Sequence, residues 1–429
     1  MLRVLRENPR FRRLWMAQVV SELGDWMARV AVLGLIAGLG GAKQAGGVGL
    51  LYAGELAIRL LPAAAWGPLA GPLADRVSRR ALMIGADLAR AVLTLGLLLV
   101  DTPDDLPLLY GLLIAQMSVS VFFQAARQAS VPGTLPSDEL HSAYALTAAT
   151  WSTMLAVGAL TGAVLIGVTG VKGLFVLDSA TYVVSALLLV PLRLAPTERQ
   201  PQPFAWRDVL LLRDIRRGLD HVRERQLLPA LFAKTFWGAA GGYLVLISLG
   251  GVQHAAGQGG DEALASGSAL AVAGAAVGWL YGARGLGTGL GPLIARRVLG
   301  SSERALRRQV SLGFVVGAAG YVAFGFLDDF AARFCAVTFA HMGGSVLWVG
   351  STTMWQRRVD DRFRGRVYAC EFLGFTLTFT LGGFLAGWVF DASGSLARTA
   401  WTSSGLVLVM GLAWSLWSYA RPPADGADA

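Results

Sequence analysis

The sequence predicts an all-α membrane protein with about twelve transmembrane helices in two pseudo-symmetric six-helix halves. Three observations lead to this fold class: the composition, the number of long apolar segments and the alternating charge of the loops between them. Of the 429 residues, 54% are hydrophobic and only 15% are charged, and the mean hydropathy is +0.53. Soluble domains contain about 25% charged residues, so the composition favours a chain that lies in lipid.

Twelve apolar segments each reach the roughly 20 residues that a spanning helix needs. The first six lie at 14–40, 48–70, 80–100, 106–130, 141–169 and 171–192, and the second six at 228–253, 264–294, 307–327, 331–356, 366–390 and 397–420. The predicted domains are therefore a six-helix half at 1–193, a cytoplasmic linker at 194–227 and a second six-helix half at 228–429.

The charges of the loops support this topology independently. Loops on one side are rich in arginine, whereas those on the other side contain mainly acids: Asp101, Asp104, Asp105, Asp261, Glu262, Asp328, Asp329 and Asp391. Because cytoplasmic loops are enriched in Lys and Arg, both termini are predicted to be cytoplasmic, with the chain in the inner membrane. The first apolar segment exceeds a signal-peptide core of roughly 7 to 15 residues, so it is predicted to be retained.

A charged turn separates the second and third segments, with the sequence Gly71-Pro72-Leu73-Ala74-Asp75-Arg76-Val77-Ser78-Arg79-Arg80. Proline lacks an amide hydrogen and disfavours helical geometry at the preceding residue, so Gly71-Pro72 is predicted to end the second helix. The carboxylate of Asp75 has several guanidinium groups close to it in the sequence, and each is a candidate partner. The run Gly291-Pro292-Leu293-Ile294-Ala295-Arg296-Arg297 repeats this turn in the second half without the acid, as expected for two parallel repeats.

In the linker, apolar residues at helical spacing predict an amphipathic helix on the inner surface: Val209, Leu212, Ile215, Leu219 and Val222.

The charged turn resembles the signature loop of the major facilitator superfamily of secondary transporters. Further runs resemble the drug-antiporter branch that includes macrolide-efflux and enterobactin-export proteins: Asn8–Trp15 with Gly24-Asp25, Arg217–Arg223, Gln356–Val359 and Arg364–Val367. The fifth segment departs from that branch because it lacks the Gly-Pro of many drug/proton antiporters. The resemblance implies a conformational latch in which Asp75 engages the start of the eleventh helix. The residues assigned to this latch are Asp75, Arg76, Arg79, Arg80, Asp87, Arg364 and Arg366.

Charged side chains inside spanning segments are costly and are functional candidates by default. Glu22, Asp25 and Arg29 share one face of the first helix. Either acid is a candidate proton carrier, and the alternative is a structural pair between Asp25 and Arg29. Glu55 forms a second such candidate, with a structural i,i+4 pair to Arg59 as the alternative.

The other ionisable residues in the apolar segments each have an expected role. Asp87 and Arg90 are interpreted as a brace near the charged turn, and Lys234 is expected to extend to the inner membrane surface. Glu371 has no basic residue within its own apolar stretch, so it is a further proton-coupling candidate. His341 is interpreted first as a hydrogen-bonded core residue.

The substrate cavity is predicted from aromatic and polar side chains in helices that would flank it. The candidates are Trp26, Arg29, Trp237, His341 and Phe375, and the alternative for each aromatic is ordinary packing or lipid contact. The glycines at 285, 287, 289 and 291 lack the lysine of a nucleotide loop and indicate close helix packing. The sequence predicts no metal site, no cofactor and no enzymatic activity.

The acids and the resemblance together predict a secondary active transporter that exports amphipathic small molecules or drugs by proton antiport and alternating access. Alternatives are a dedicated siderophore or natural-product exporter, a lysolipid flippase, or a non-transporting membrane receptor or scaffold. The predicted partners are a small-molecule substrate, protons and the lipid bilayer, with no nucleic acid. The chain is predicted to function as a monomer.

Overall fold

A computed structural model describes residues 2–42, 47–194, 219–259 and 267–420. All regular structure in those ranges is helical, which confirms the predicted fold class. The α-helices that lie wholly within these ranges are α1 (Leu2–Glu7), α2 (Pro9–Ala42), α3 (Val48–Arg76), α4 (Arg79–Gly96), α5 (Leu106–Ser130), α6 (Leu140–Leu189), α7 (Leu228–Trp237), α8 (Gly241–Gly259), α9 (Gly267–Leu299), α10 (Glu303–Phe326), α11 (Phe330–Gln356), α12 (Asp361–Ser393) and α13 (Leu396–Tyr419), and residues 219–224 are also helical.

Ten spans in the described ranges are long and apolar enough to cross a membrane, with α7 and α8 forming one of them. The 50-residue helix α6 contains Gly170, whose φ of 68° and ψ of 179° are not helical. This break divides α6 at the boundary that the sequence predicts between 141–169 and 171–192. Helix α9 adds 33 residues, long enough to cross a bilayer. The chain is therefore a multi-pass membrane protein with about twelve spans.

The expectation that Gly71-Pro72 ends the second helix is wrong. Helix α3 continues through Pro62, Pro68 and Pro72 to Arg76. Likewise, α9 continues through Pro292 to Leu299. Each proline removes only one backbone hydrogen bond, and spanning helices tolerate such losses where neighbouring groups compensate. The turn itself is reduced to residues 77 and 78, and the Ser78 hydroxyl accepts a hydrogen bond from the Ala81 amide at 3.3 Å to start α4.

The chain forms two compact units. The first comprises Met1–Lys43, Ile58–Leu210 and Ala255–Gly282, and the second Gln44–Ala57, Leu211–His254 and Ala283–Ala429, as far as these ranges are described. The predicted boundaries at 193 and 228 stay a prediction. Most of the predicted linker helix, with Val209, Leu212 and Ile215, lies outside the described residues, whereas Val222 is buried.

Each unit contains one short segment from the other predicted half of the chain. Residues 255–282 belong to the first unit, and residues 44–57 belong to the second. In the first unit the beginning of α9 packs on α2, where a Cβ on Gly34 would stand 2.8 Å from the Leu270 carbonyl oxygen. In the second unit the beginning of α3 packs on α12, where a Cβ on Gly49 would stand 2.5 Å from the Gly387 carbonyl oxygen. Only glycine allows this backbone approach at these two positions.

The carboxylate of Asp391 binds the first turn of α3 in the second unit. Its two oxygens accept the Gly49 and Leu50 amides at 2.8 and 2.9 Å. Replacing Asp391 with alanine should lower the free energy of unfolding by about 0.5–2 kcal/mol, as for the loss of a helix N-cap. Thermal unfolding of the purified protein in detergent measures this, with Asp328→Ala at an exposed acid as the control. Equal stability of both variants would contradict the capping role.

Candidate functional site

Helices α2, α4, α5 and α6 of the first unit enclose a network of buried charges. At its centre, Arg90 of α4 is fully buried. Its guanidinium group lies 4.4 Å from the ring centroid of Phe123 and 4.3 Å from that of Tyr182. These aromatic faces stabilise the cation where water is excluded.

The carboxylates of Asp25 and Asp87 flank Arg90. Asp87 forms an ion pair and hydrogen bond with Arg90 and accepts a second hydrogen bond from the Ser185 hydroxyl at 2.7 Å. Asp25 Oδ2 lies 3.9 Å from Arg90 Nη1, and Asp25 Oδ1 accepts a hydrogen bond from the Tyr182 hydroxyl. The cation that pairs with Asp25 is therefore on another helix, which local spacing could not show. The pairing of Asp87 with Arg90 is the brace that the sequence suggests.

Glu22 lies one helical turn before Asp25 and belongs to a second branch of the network. Gln18 Nε2 donates to Glu22 Oε1 at 2.9 Å, and Arg127 Nη1 of α5 donates to Gln18 Oε1 at 2.6 Å. Glu22 Oε2 is buried and accepts no hydrogen bond from the residues that the structure describes. Glu22 and Arg127 attract each other through their charges. The two candidate acids of α2 thus have different cationic partners on different helices.

Sequence reasoning missed Asp178 of α6, which is fully buried in the same network. A Cβ on Gly24 would overlap its carboxylate, so Asp178 lies against the backbone just before Asp25. Tyr182, one turn further along α6, accepts a hydrogen bond from Gln116 at 3.0 Å. The sequence signal that could have found Asp178 is a single acid within an apolar segment.

In the second unit, Lys234 of α7 forms a buried ion pair with Glu371 of α12. Lys234 Nζ donates to Glu371 Oε2 at 2.8 Å and to the Thr352 hydroxyl at 2.6 Å, and Trp355 Nε1 donates to Glu371 Oε1 at 2.9 Å. The ammonium also lies 4.1 Å from the Trp348 ring centroid. The expectation that Lys234 reaches the membrane surface is therefore wrong, because a buried carboxylate, the Thr352 hydroxyl and the Trp348 ring replace water around it. Glu371 has no basic residue in its own apolar segment, and its cationic partner is Lys234 on another helix.

Three of the predicted cavity residues lie in the interior of the second unit. Trp237 packs edge-on against Tyr243 and Phe314, with ring centroids 6.0 and 5.7 Å apart. His341 Nε2 shares a 2.8 Å hydrogen bond with the Tyr321 hydroxyl, which agrees with a hydrogen-bonded core residue. Phe375 packs against Trp348 at 5.0 Å. Their role in a substrate cavity stays a prediction.

The other two cavity candidates lie together in the first unit. The Arg29 guanidinium group stands 5.4 Å from the Trp26 ring centroid and 4.8 Å from that of Tyr281 on α9. Trp151 of α6 lies edge-on to Trp26 at 6.0 Å. A cation surrounded by aromatic faces has the chemistry to contact an amphipathic compound.

The residues assigned to the latch lie at the ends of helices, except for the buried Asp87. Arg79 donates to Asp75 Oδ1 at 2.8 Å and to the Ala129 carbonyl at 2.7 Å, and Arg80 donates to the Val190 carbonyl at 3.1 Å. Arg76 is exposed. In the second unit, Arg364 donates to the Gln356 carbonyl at 3.2 Å, and Arg366 lies 5.6 Å from the Phe363 ring centroid. The latch stays a prediction, as does proton coupling by Glu55, which is buried on α3.

The charged groups of these arrangements lie inside the helices and interact mainly with one another. No group of three or more potential metal ligands occurs in the described part of the chain. What the first unit offers instead is four acids within its helices, three of which, Glu22, Asp25 and Asp178, face arginines on neighbouring helices. A change in the protonation of one acid would change the attraction between two helices.

Comparisons with known proteins agree with the fold. A model of the family described as Major Facilitator Superfamily matches residues 14–277, more than half of the chain. The MFS-type transporter YkuC of Bacillus subtilis (strain 168) is 29% identical over 184 residues, which are 42% of this chain and 43% of that protein. An MFS-type transporter of Mycobacterium tuberculosis is 31% identical over 140 residues, 32% of this chain and 31% of that protein. The chain thus aligns with less than half the length of these curated relatives.

Two solved structures share the fold over nearly their whole length. A mutant of the nucleoside transporter NupG has a TM-score of 0.69 and 13% identity, over 94% of this chain and 99% of that chain. An inward-facing, unoccupied bacterial homologue of the human lysosomal transporter Spinster has a TM-score of 0.68 and 12% identity, over 98% of this chain and 99% of that chain. At these identities the likeness is one of fold alone.

Proposed function

The chain belongs to the Major Facilitator Superfamily, and we propose that it is a secondary active transporter that exports amphipathic small molecules in exchange for protons. It is a membrane transporter and not an enzyme. Beyond family membership, we propose the direction of transport, the coupling ion and the class of substrate. Alternating access of the site to the two sides of the membrane would couple the two movements.

The observation that best supports proton coupling is the pair of acids on one face of α2. Glu22 is 7% exposed and Asp25 lies beside Arg90, so neither acid is a surface group of an ordinary helix. Ionised Asp25 attracts Arg90 of α4, and neutral Asp25 does not. Proton uptake would therefore weaken the attraction between α2 and α4 and favour one arrangement of these helices over another.

The chemistry around Trp26 supports an amphipathic substrate. The aromatic rings of Trp26, Trp151 and Tyr281 provide apolar surface, and the Arg29 guanidinium group provides a positive charge. Sites for small molecules commonly combine a mostly apolar lining with a few polar groups. A compound with a ring system and one acceptor or anionic group would match both features.

Drug accumulation in an efflux-deficient bacterial host tests the proposal. Cells that express the protein should accumulate less of at least one amphipathic dye or antibiotic, and a protonophore should abolish the difference. If no compound in a broad panel shows extrusion that depends on the proton gradient, the antiport proposal fails. Gradient-independent binding of a ligand by the purified protein would then favour a membrane receptor.

Replacing Asp25 with asparagine should reduce gradient-dependent extrusion at least tenfold, because the amide keeps the shape of the side chain but cannot exchange a proton. The Tyr182 hydroxyl can still donate to the amide oxygen, so expression should be preserved. Transport assays with membrane levels matched by immunoblot measure this effect. Asp101→Asn, at an exposed acid that pairs with Lys172 at 2.6 Å, is the matched control. Wild-type extrusion by Asp25→Asn would remove Asp25 from the proton path.

A further inference from the structure

Asp178 is a buried acid whose hydrogen bonds are incomplete. Its Oδ1 atom accepts a long hydrogen bond of 3.4 Å from the Thr181 hydroxyl. Its Oδ2 atom is buried and accepts no hydrogen bond from the residues that the structure describes. An ionised carboxylate in such a place would forfeit the hydration of one oxygen without replacement.

The charges around Asp178 are also unbalanced. It faces Asp25 on α2, Arg59 on α3 and Arg90 on α4, and Tyr182 lies one turn away on its own helix. Arg90 is engaged in addition by Asp87, through an ion pair and a hydrogen bond. Three acids therefore depend on two arginines, and the Arg90 charge is divided among all three.

The adjoining branch of the network does not correct this imbalance. It adds one acid, Glu22, and one cation, Arg127, which attract each other. The whole cluster then contains four acids against three arginines: Glu22, Asp25, Asp87 and Asp178 against Arg59, Arg90 and Arg127. Uncompensated charge in a membrane interior is costly, and a bound proton removes it.

Geometry selects the pair of acids that holds this proton. Asp87 has two donors, Arg90 and Ser185, whereas Asp178 lies against Gly24, the residue before Asp25, and its charge interacts with that of Asp25. We propose that Asp25 and Asp178 form a carboxyl pair that binds one shared proton between α2 and α6. The proposal assigns this proton to the pair and not to either acid alone. The absence of a side chain at Gly24 is what lets α6 bring its acid this close.

This inference deepens the proposed function, because the pair would be the site that carries the exchanged proton. Its tests measure proton occupancy and not transport. A protein that holds the proton but extrudes no compound would refute the export proposal and leave the carboxyl pair intact. Gradient-dependent extrusion by a protein without this proton would do the reverse.

The first test uses the unmodified full-length protein in detergent or nanodiscs. Dicyclohexylcarbodiimide, an apolar reagent, attacks protonated carboxyl groups in apolar surroundings. Mass spectrometry of peptides should find the adduct on Asp178 or Asp25 at neutral pH, with labelling that declines as the pH is raised. The exposed Asp101 should stay unlabelled. No labelling of either member of the pair at any pH would overturn the proposal.

The second test assigns the proton by infrared spectroscopy. The wild-type protein should show the stretching band of a buried, protonated carboxyl group, and Asp178→Asn should lose it. Asp101→Asn should keep the band and serves as the matched control. Retention of the full band by folded Asp178→Asn would overturn the proposal. Should this variant fail to fold, the labelling of the wild-type chain decides alone.

Discussion

Replacing Glu371 with glutamine should lower the free energy of unfolding by about 3–5 kcal/mol, the usual cost of removing one partner of a buried ion pair. The side chain of Lys234 is 2% exposed and would be left buried without a carboxylate nearby. The Thr352 hydroxyl and the Trp348 ring would remain, but neither neutralises a cation. Lys234→Met should be destabilising for the converse reason, because it leaves the Glu371 carboxylate with only the Trp355 donor.

The double variant Lys234→Met, Glu371→Leu separates charge balance from the loss of contacts. Since it removes both charges together, it should be markedly more stable than either single variant, as in other buried pairs replaced by apolar residues. Thermal or denaturant unfolding in one detergent compares the three variants. Asp101→Asn breaks the exposed pair with Lys172 and should cost less than about 1 kcal/mol. Additive losses in the double variant would show that the pair does not act as a unit.

Replacing Arg90 with methionine should cost a similar or greater amount of stability, about 3–5 kcal/mol, because Arg90 is the cation of the first unit's network. Its loss would leave the buried carboxylate of Asp87 with only the Ser185 hydroxyl and would remove a positive charge from beside Asp25. It would also remove the guanidinium group from between Phe123 and Tyr182.

Arg90→Lys is the informative companion to this variant. Lysine keeps the charge but lacks the flat guanidinium group that stacks between two rings while bonding to a carboxylate. We therefore expect a stability between those of the wild type and Arg90→Met, measured in the same unfolding assay. If Arg90→Lys equals the wild type, the stacking adds nothing beyond the charge. If Arg90→Met equals the wild type, the network is not centred on Arg90.

The contacts of these two clusters explain why sequence analysis found their members but not their partners. Asp25, Asp87 and Glu371 stand out in the sequence because a charge within an apolar segment is conspicuous. Lys234 is 137 positions away from Glu371, and a lysine near the end of a spanning segment ordinarily extends to the membrane surface. Asp178 carries the same signal, a single acid within an apolar segment, and sequence reasoning missed it all the same.

The prolines led to the opposite error, because the local rule that proline ends a helix was applied too strongly. Pro72 and Pro292 each suggest a helix end, yet α3 and α9 pass through them. By contrast, Gly170 breaks α6 at the boundary that segment length predicts. A proline removes one hydrogen bond, whereas the φ of 68° at Gly170 redirects the backbone.

The helical class, the approximate number of spans and the candidate acids followed from the sequence, because hydropathy and segment length are properties of neighbouring residues. The tertiary structure alone decided which charges on different helices meet, Arg90 with Asp25 and Lys234 with Glu371, and that Asp178 lies against the backbone at Gly24. The physical reason is that an ion pair in a membrane interior depends on distance in space. Helices that pack side by side bring together residues that lie far apart in the chain.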